Sequence, residues 1–445
     1  MNPQELDEFG WIARHSRNLA VRDGVRLGIG DDAAVLSSLQ TPVVTCDCLV
    51  ENVHFRRDWT TPRDLGRKAL SVNLSDIAAM GAFPVAAFVS LAIPPALNPD
   101  FWDEFYAGME EIAARFRFTI AGGDTSRMSR ELVINVTLIG EIRNRKIEPS
   151  QKNPVRNAST SLCQTPNEQA ANEQAPNEQA PNEQAAAFFV ENLLKTNQAG
   201  ASAARPITRS GAQSGDVLIV TGTLGDSVAG LWLLQNPHVE IAASVRERLL
   251  RRHFDPTPRL DEMQVALGVG GVRAALDLSD GLAGDAAHIA QRSRLTLEIE
   301  TSKLPLSGGY LKTVQIKRNS ELESEKSAMP IARIQRRNEE KTAPENRGFS
   351  AEENENRVLD GAAPVASEAL FDARNWALSG GEDYELLLCV APELAEETAR
   401  QITTQTGTRA TIIGRCIASA DDENRVVLRD ANGREFAAPR AWTHF

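Results

Sequence analysis

Hydrophobic and polar positions along the first 150 residues follow two different periods. Short apolar runs predict four strands, with the sequences VVTCDCLV, PVAAFVSLAI, FTIAGG and ELVINVTLIGEI. Between them, apolar residues recur every three or four positions and predict two helices, residues 61–80 and FWDEFYAGMEEIAARF. The first helix has clear start signals, because Thr61 can act as its cap, Pro62 occupies the first helical position and Asp64 lies in the first turn.

The same alternation returns after residue 206. A strand DVLIVTG leads through a glycine turn into the helix SVAGLWLLQ, and the strand ALDLSDGL leads into the helix AGDAAHIAQR. Helices and strands therefore alternate in both parts of the chain, which predicts mixed α/β or α+β domains. Acidic residues follow several of the predicted strands, and strand ends are where ligand sites are usually built.

Two segments interrupt this pattern. Residues 149–205 contain the repeat PNEQA, and about 309–366 are rich in charge with little periodicity. Neither composition can bury enough apolar surface to offset the entropy of ordering, so we predict loosely ordered insertions in surface loops. The expected organisation is an N-terminal domain of residues 1–148 and a C-terminal domain of residues 206–445.

One carboxylate stands out in the first predicted helix. Leu65, Ala69, Val72 and Asp76 recur at the offsets of a single helical face, so Asp76 lies in an apolar stripe. A buried, unpaired carboxylate costs several kcal/mol or more, so it needs a metal, a cation or several hydrogen-bond donors. The alternative is that Ser75 and Asp76 cap a second short helix, and the pattern alone leaves both possibilities open.

Composition narrows the functional class. The 445 residues carry a net charge of −12, which disfavours nucleic acid as a partner. The longest apolar runs are too short to span a membrane, and the N-terminus does not resemble a secretory signal, so we expect a cytoplasmic protein. The 5 cysteines and 6 histidines show no zinc or redox spacing. No phosphate-binding loop with GxxxxGK[ST] and no protein-kinase motif is present.

Acidic turns supply the candidate chemistry. Asp31, Asp47, Asp124, Asp277 and Asp280 each lie at or just inside a predicted turn. Such turns repel a bare polyphosphate, but they bind it when Mg²⁺ ions bridge carboxylate and phosphate oxygens. The pattern therefore favours phosphoryl transfer. A turn-capping role for each aspartate is the alternative, and the recurrence of acidic turns argues against it.

Taken together, these segments resemble the thiamine-monophosphate kinase family, of the superfamily that includes aminoimidazole ribonucleotide synthetase. The resemblance covers both domains in order and is carried by GIGDDAAVL, TCDCLVENVHF, ALSVNLSDIAAMGA, IAGGDTSR, RSGAQSGDVLIVTGTLGDSVAGL, ALDLSDGLAGD, ALSGGEDYELLL and AWTHF. It implies the two-domain aminoimidazole ribonucleotide synthetase-like fold, ATP and thiamine monophosphate as substrates, several Mg²⁺ ions, and a homodimer in which the N-terminal domains pair their sheets.

The resemblance also implies roles for individual residues. Asp47, Asp124 and Asp277 would be catalytic. The metal ligands would be Asp31, Thr45, Cys46, Asp47, Asp76, Asp124, Asp277 and Asp280. The nucleotide would be bound by Gly122, Gly123, Asp124, Arg209 and Ser279. The thiamine side would be lined by His54, Glu382 or Asp383, and Trp442.

One departure and two alternative functions stay open at this point. The family usually has a Ser/Thr pair where this chain has Thr45-Cys46, and a thiol is a poor ligand for Mg²⁺ unless the backbone carbonyl makes the contact. Another ATP-dependent synthetase of the superfamily is one alternative function. The other is a non-catalytic nucleotide-binding scaffold, which crowded carboxylates disfavour because they repel one another without metal.

Overall fold

The structure is a computed structural model. It describes residues 8–29, 33–95, 97–143, 205–321, 374–419 and 425–436. The predicted insertion at 149–205 lies outside these residues, and so does most of the second predicted insertion. The described residues before 143 and after 205 form one compact unit. Among them, no helix combines the length and hydropathy that crossing a membrane requires.

The N-terminal part contains a four-stranded sheet and three helices, with a short two-stranded ribbon near its start. The helices are α1 (Glu8–Ser16), α2 (Pro62–Ala79) and α3 (Pro99–Phe116), and the ribbon pairs β1 (Val25–Leu27) with β2 (Val35–Leu36). The sheet comprises β3 (Pro42–Val50), β4 (Phe83–Ile93), β5 (Thr119–Arg127) and β6 (Val133–Glu141), in the order β3-β6-β4-β5. The four predicted strands and two predicted helices are confirmed.

Helix α2 forms where its start signals predict. Thr61 caps the helix by accepting a hydrogen bond from the Asp64 amide, and Pro62 is the first helical residue. The helix continues without interruption through Asp76 to Ala79, so the alternative of a second helix capped at Ser75 and Asp76 is wrong. Leu65, for example, is 1% exposed. The helix is buried on most of its surface because it packs on the sheet, on α3 and on the C-terminal part.

One face of the four-stranded sheet is covered by helices and the other is not. Along β6 the burial alternates residue by residue, with Ile134, Val136 and Leu138 buried toward α2. The intervening residues are less buried, and Val44 on the neighbouring strand is 62% exposed. The sheet therefore presents a face that no helix of the described residues covers, here called the open face, which consists of alternate residues of β3, β6, β4 and β5. The ribbon packs on part of its β4 and β5 side, where Val25 contacts a small apolar cluster that includes Ala86 and Phe88.

The C-terminal part contains a seven-stranded sheet in the order β13-β12-β9-β11-β7-β10-β8. Its strands are β7 (Val217–Thr221), β8 (Val272–Asp277), β9 (Leu295–Glu300), β10 (Leu386–Val390), β11 (Ala410–Ala418), β12 (Val426–Arg429) and β13 (Glu435–Phe436). Neighbouring strands are antiparallel except β9 and β12. The helices are α4 (Asp226–Gln235), α5 (Ala243–Phe254), α6 (Leu260–Val269), α7 (Leu282–Ser293), α8 (308–321), α9 (374–379) and α10 (Pro392–Thr406).

Helix α8 corrects the start of the second insertion, which the sequence pattern predicts at about residue 309. Tyr310 is fully buried and Val314 is 6% exposed, so the beginning of this segment belongs to the folded core. Tyr310 packs over Gly225, where an added Cβ would come within 2.5 Å of the ring. The high charge of the segment concealed these two apolar positions. Residues 322–373 lie outside the described residues.

Candidate active site

Helix α2 and strand β3 bring three of the predicted site residues together. Thr45 and Asp47 lie on the β3 face that is opposite the open face, and Asp76 approaches them from α2. The Thr45 hydroxyl donates a hydrogen bond to Asp76 Oδ2. The Asp47 amide donates to Asn73 Oδ1 at 3.2 Å. Residues that are distant in sequence therefore meet at one junction of helix and sheet.

Asp277 joins this junction from the C-terminal part. It is the last residue of β8 and only 5% exposed, and β8 packs against α2. The next amide, that of Leu278, donates to the Glu385 carbonyl at 2.8 Å and so holds the strand end in place. Asp280 follows in the turn before α7, where its amide donates to Asp285 Oδ2 at 3.1 Å. The predicted acidic strand end therefore forms part of the site.

The surroundings of these carboxyl groups oppose their ionisation. Burial, followed by repulsion from Asp76, raises the pKa of Asp47 to about 6. The same two causes raise the pKa of Asp277 to about 8. Burial also raises the pKa of Asp76, although the Thr45 hydroxyl and the Arg209 charge oppose this shift. A cation bound among these carboxylates would relieve the repulsion and lower all three pKa values.

Two cavities meet at Asp76 and Asp277, and both carboxylates line both cavities. The first, which we call the tryptophan cavity, has a volume of about 560 Å³. Its walls include Asp47, His54, Val72, Ser279, Asp280, Trp376, Glu382 and Tyr384. The second, the arginine cavity, has a volume of about 450 Å³. Its walls include Thr45, Thr208, Arg209, Ser210 and Arg292. The pair of carboxylates thus stands where two ligands could touch.

Two of the predicted thiamine-side residues line the tryptophan cavity. The Val50 amide donates to His54 Nδ1 at 3.0 Å, so the proton of the neutral ring lies on Nε2. Glu382 lines the same cavity from the loop that precedes β10. Asp383 does not line the cavity. Its carboxylate accepts the Gly225 amide at 2.8 Å and caps the start of α4, so of the two acidic residues only Glu382 faces the cavity.

Two of the five predicted nucleotide residues line a cavity, one in each. Arg209 lines the arginine cavity, where its carbonyl accepts a hydrogen bond from the Ser293 hydroxyl at 3.0 Å. Arg292, at the end of α7, lines the same cavity and provides a second cation. Ser279, in contrast, lines the tryptophan cavity. The two arginines therefore make the arginine cavity the better match for a polyphosphate.

Strand β5 carries three predicted residues that the structure does not bring to this junction. Gly122, Gly123 and Asp124 line neither cavity. The sheet register places Asp124 beside Ser90, in the row that contains Asn135 and Cys48, so its side chain belongs to the open face. Alternation along a strand sends neighbouring residues to opposite faces, and Asp47 therefore faces away from Asp124.

Cys46 lies on the open face as well. Its Sγ accepts a hydrogen bond from Asn135 Nδ2 at 3.2 Å, and the side chain is exposed. The thiol points away from Asp47 and Asp76, so a metal contact at this position would involve the backbone carbonyl. Two other predicted residues, the metal ligand Asp31 and the substrate residue Trp442, lie outside the described residues.

Sequence reasoning missed several side chains of the tryptophan cavity. Trp376 directly precedes ALSGGEDYELLL, one of the stretches that carry the family resemblance, and that position was a usable signal. Trp232 holds it edge to face with ring centroids 6.2 Å apart. Lys68 lies behind the cavity wall and contacts Glu382. Its position two helical turns before Asp76 places it on the same helical face, and the sequence could have shown this. Nothing in the local sequence of His253 distinguishes it from a surface residue of an amphipathic helix.

The donors at the junction suit magnesium. Asp47, Asp76 and Asp277 offer carboxylate oxygens, which Mg²⁺ prefers, and their raised pKa values indicate missing positive charge. In the part of the chain that the structure describes, no three such side chains converge on a single ion position. That arrangement is compatible with Mg²⁺, which usually takes one or two carboxylates and completes its shell with phosphate oxygens and water.

We expect Mg²⁺ to stabilise the protein more at pH 8 than at pH 6. When folding raises the pKa of a carboxyl group, the folded state becomes less stable as the pH rises. The loss begins near the pKa of the unfolded state, about 4, and is complete above the pKa of the folded state. The folded values are about 6 for Asp47 and about 8 for Asp277. Thermal unfolding midpoints measured in EDTA should therefore fall between pH 6 and pH 8, and Mg²⁺ should reverse the fall. An equal effect of Mg²⁺ at both pH values would contradict this prediction.

Comparisons with known proteins define the class. Residues 30–142 match the family "AIR synthase related protein, N-terminal domain", and residues 213–427 match "AIR synthase related protein, C-terminal domain". These matches correspond to the four-stranded and the seven-stranded parts of the fold. The site at their junction is thus that of an AIR synthase related protein.

Individual relatives narrow the class further. A Bacillus subtilis thiamine-monophosphate kinase is 31% identical over 305 residues, which cover 68% of this chain and 75% of that protein. The Haemophilus influenzae thiamine-monophosphate kinase is 28% identical over 446 residues, covering 99% of this chain and 98% of that protein. The structure of AaThiL complexed with AMPPCP and TMP is 25% identical with a TM-score of 0.57, covering 100% of this chain and 99% of that chain. The chain therefore belongs to the thiamine-monophosphate kinase family.

Proposed function

We propose that the protein transfers the terminal phosphoryl group of ATP to thiamine monophosphate, with thiamine diphosphate and ADP as products. The observation that carries this proposal is the shared wall of the two cavities, where Asp76 and Asp277 face both. Family membership supports it, because relatives named as thiamine-monophosphate kinases match nearly the whole chain. ATP would occupy the arginine cavity and thiamine monophosphate the tryptophan cavity.

The reaction requires substrate positioning and charge neutralisation, and it requires no covalent intermediate with the protein. An oxygen of the acceptor phosphate forms a bond to the terminal phosphorus of ATP, and the bond from that phosphorus to the bridging oxygen breaks, so that ADP leaves with the electron pair. The second pKa of the acceptor phosphate is about 6, so the phosphate has lost its second proton at neutral pH and no general base is required. The site then has to hold the terminal phosphate of ATP and the acceptor phosphate in line.

Each cavity offers groups for one substrate. Arg209 and Arg292 would pair with the phosphates of ATP on one side. On the other side, Trp376 and Glu382 would bind the positively charged thiazolium ring through an aromatic face and a carboxylate. Bound in this way, the two substrates would bring their phosphate ends to the shared carboxylate wall.

We propose that the carboxylates at this wall hold Mg²⁺. Asp47, Asp76 and Asp277 would be the main protein ligands, with Asp280 at the edge of the tryptophan cavity as a further one. When bound, Mg²⁺ would neutralise the charge on the phosphates that meet there. Thr45 would keep the Asp76 carboxylate oriented through its hydrogen bond.

A direct assay tests the proposed reaction. The purified protein is incubated with ATP, Mg²⁺ and thiamine monophosphate, and the products are identified by mass spectrometry. We expect thiamine diphosphate and ADP in equal amounts. Unphosphorylated thiamine serves as the control acceptor and should give no product, because it lacks the phosphate that accepts the transfer. Hydrolysis of ATP without thiamine diphosphate would contradict the proposal.

We also propose that two copies pair through the open face of the four-stranded sheet. This face carries the exposed Val44 and Cys46, and the outer edges of β3 and β5 are unpaired within the described residues. Unpaired strand edges and exposed apolar residues favour association. Because Asp124 lies on this face, pairing would bring its carboxylate toward the second copy, and a dimer could thereby include Asp124 in a site that one copy alone does not give it.

Replacing Val44 with aspartate should disrupt this dimer. In the dimer, the new carboxylate would lie against the equivalent aspartate of the second copy or against other buried groups. Burying an unpaired charge costs several kcal/mol. Light scattering should show twice the 48.5 kDa chain mass for the wild type and a shift toward the single-chain mass for Val44→Asp. Val21→Asp is the control, because Val21 is 58% exposed but lies outside the sheet. A dimer of unchanged affinity in Val44→Asp would place the interface elsewhere.

A further inference from the structure

Lys68 is a buried lysine directly behind the wall of the tryptophan cavity. It lies on α2 and is 2% exposed. Val72 and Asp76 follow it at intervals of four residues, so the three side chains share one face of the helix. Val72 and Asp76 both line the tryptophan cavity, and Lys68 is about 12 Å from Asp76 along the helix axis. The helix thus carries the Asp76 carboxylate in the cavity wall and, about two turns away, the Lys68 ammonium group, which contacts Glu382 of the same wall.

The Lys68 ammonium group pairs with Glu382 across the two parts of the protein. Its Nζ donates to Glu382 Oε1 at 2.8 Å, while His253 Nδ1 lies 3.3 Å from Glu382 Oε2. Burial, followed by the Lys68 charge, lowers the pKa of His253 to about 4, so this ring is neutral at pH 7. Burial opposes ionisation of Glu382, but the Lys68 charge, the hydrogen bond from Lys68 and the neighbouring His253 and His54 together hold the pKa of that carboxyl below its ordinary value. Lys68 makes the largest of these contributions and is the group whose ammonium nitrogen contacts the carboxylate directly.

Hydrogen bonds also fix the backbone around Glu382. Glu382 has φ = 65° and Tyr384 has φ = 50°, a left-handed conformation that is costly for residues other than glycine. The Glu382 amide donates to the Ser279 carbonyl at 2.7 Å, and the Tyr384 amide donates to the Leu278 carbonyl at 2.9 Å. At Gly381 an added Cβ would lie 2.4 Å from the Ser279 carbonyl oxygen. The loop is thus fastened to the turn that follows Asp277.

We propose that Lys68 is a positioning residue for the acceptor substrate: it holds Glu382 as an ionised carboxylate aimed into the tryptophan cavity, where Glu382 binds the cationic ring of thiamine monophosphate. The inference rests on the proposed function. The exposures of the two side chains support this inference: Lys68 is buried, with a side chain 3% exposed, whereas the side chain of Glu382 is 26% exposed. Oε1 of Glu382 accepts the hydrogen bond from Lys68, and Glu382 still lines the cavity.

The neighbouring Arg67 shows what a purely structural pair looks like at this interface. Arg67 Nε lies 3.1 Å from Asp255 Oδ2, and its other nitrogens pair with Asp64 and Glu111. Like Lys68, it ties α2 to the C-terminal part. It does not line either cavity and contacts no residue predicted to bind substrate. Arg67 therefore provides a matched control for loosening of the interface.

The test compares steady-state kinetics of the full-length protein and its variants. In Lys68→Met we expect the KM for thiamine monophosphate to rise about 10- to 100-fold, because the acceptor loses an ionised partner. The kcat and the KM for ATP should change by no more than about threefold. Lys68→Arg should recover most of the affinity, since it restores the charge. Arg67→Met should lower the thermal midpoint without raising the KM for thiamine monophosphate.

A double variant identifies the partner. If Lys68 acts through Glu382, then Lys68→Met combined with Glu382→Gln should raise the KM no further than Glu382→Gln alone. Independent, multiplicative effects would overturn the inference, and so would a Lys68→Met variant that loses kcat at unchanged KM. Binding of thiamine monophosphate without ATP, followed by tryptophan fluorescence, gives the same comparison if turnover is too low. A wild-type protein that does not phosphorylate thiamine monophosphate would contradict the proposed function, whereas an active wild type with an unaffected Lys68→Met would contradict this inference alone.

Discussion

Replacing Asp277 with asparagine is expected to lower kcat about a thousandfold while leaving the fold intact. Asp277 borders both cavities, so under the proposed function its charge would act at the point where the two phosphate groups meet. Asparagine keeps the shape of the side chain but gives Mg²⁺ a neutral ligand in place of a carboxylate. A loss of about 4 kcal/mol of transition-state stabilisation corresponds to this factor and is typical for removal of one charge-stabilising group.

The same substitution should stabilise the metal-free protein. Burial and repulsion from Asp76 raise the pKa of Asp277 to about 8, so its ionised form destabilises the folded state when no cation is bound. Asparagine removes that repulsion. Activity and stability should therefore change in opposite directions, which is the pattern expected when a residue is retained for function at a cost in stability.

Two measurements check this prediction. Steady-state kinetics at saturating Mg²⁺ give kcat, and thermal unfolding in EDTA at pH 8 gives the change in stability. Asp261→Asn is the control, because Asp261 is exposed on α6, and it should behave like the wild type in both. Turnover of Asp277→Asn within about tenfold of wild type would mean that this carboxylate is a structural cap. A large drop in its thermal midpoint would mean that the substitution disturbs the fold.

The local part of the architecture was predictable from the sequence. The capping signals at Thr61 and Pro62 predicted the start of α2, and the period of its apolar residues predicted that Asp76 faces inward. These features depend on residues a few positions apart, where periodicity and capping chemistry act. The acidic end of β8 was predictable for the same reason, since an apolar strand runs directly into Asp277.

The pairings across the chain were not predictable in this way. Lys68 and Glu382 meet although 314 positions separate them, and no local pattern marks that pair. Glu382 and Asp383 are adjacent and chemically alike, yet only the left-handed backbone at Glu382 turns one toward the cavity and the other toward α4. The face on which Asp124 lies depends on the register of four strands, which sequence alone does not specify.

Replacing Glu385 with glutamine is expected to lower the free energy of unfolding by about 3–5 kcal/mol. Glu385 is fully buried and follows the loop that carries Glu382. Its Oε1 accepts from Arg259 Nη2 at 2.6 Å, and its Oε2 accepts from Arg259 Nε and from the Thr221 hydroxyl, each at 2.7 Å. Arg252 also pairs with Oε1. Glutamine would present an amide group to these donors and remove the carboxylate that Arg259 and Arg252 share, which leaves Glu262 as the carboxylate paired with Arg259.

The space around Glu385 allows little adjustment, which is why we expect the cost to be near the full value for breaking a buried ion pair. An added Cβ at Gly222 would lie 2.1 Å from Glu385 Oε1, so the carboxylate is enclosed on that side as well. Urea-induced unfolding followed by circular dichroism measures the change. Glu397→Gln is the control, because its pair with Arg400 is exposed and should contribute no more than about 1 kcal/mol. Equal losses in the two variants would show that the network around Glu385 adds nothing beyond an exposed pair, and that other contacts hold the Glu382 loop in place.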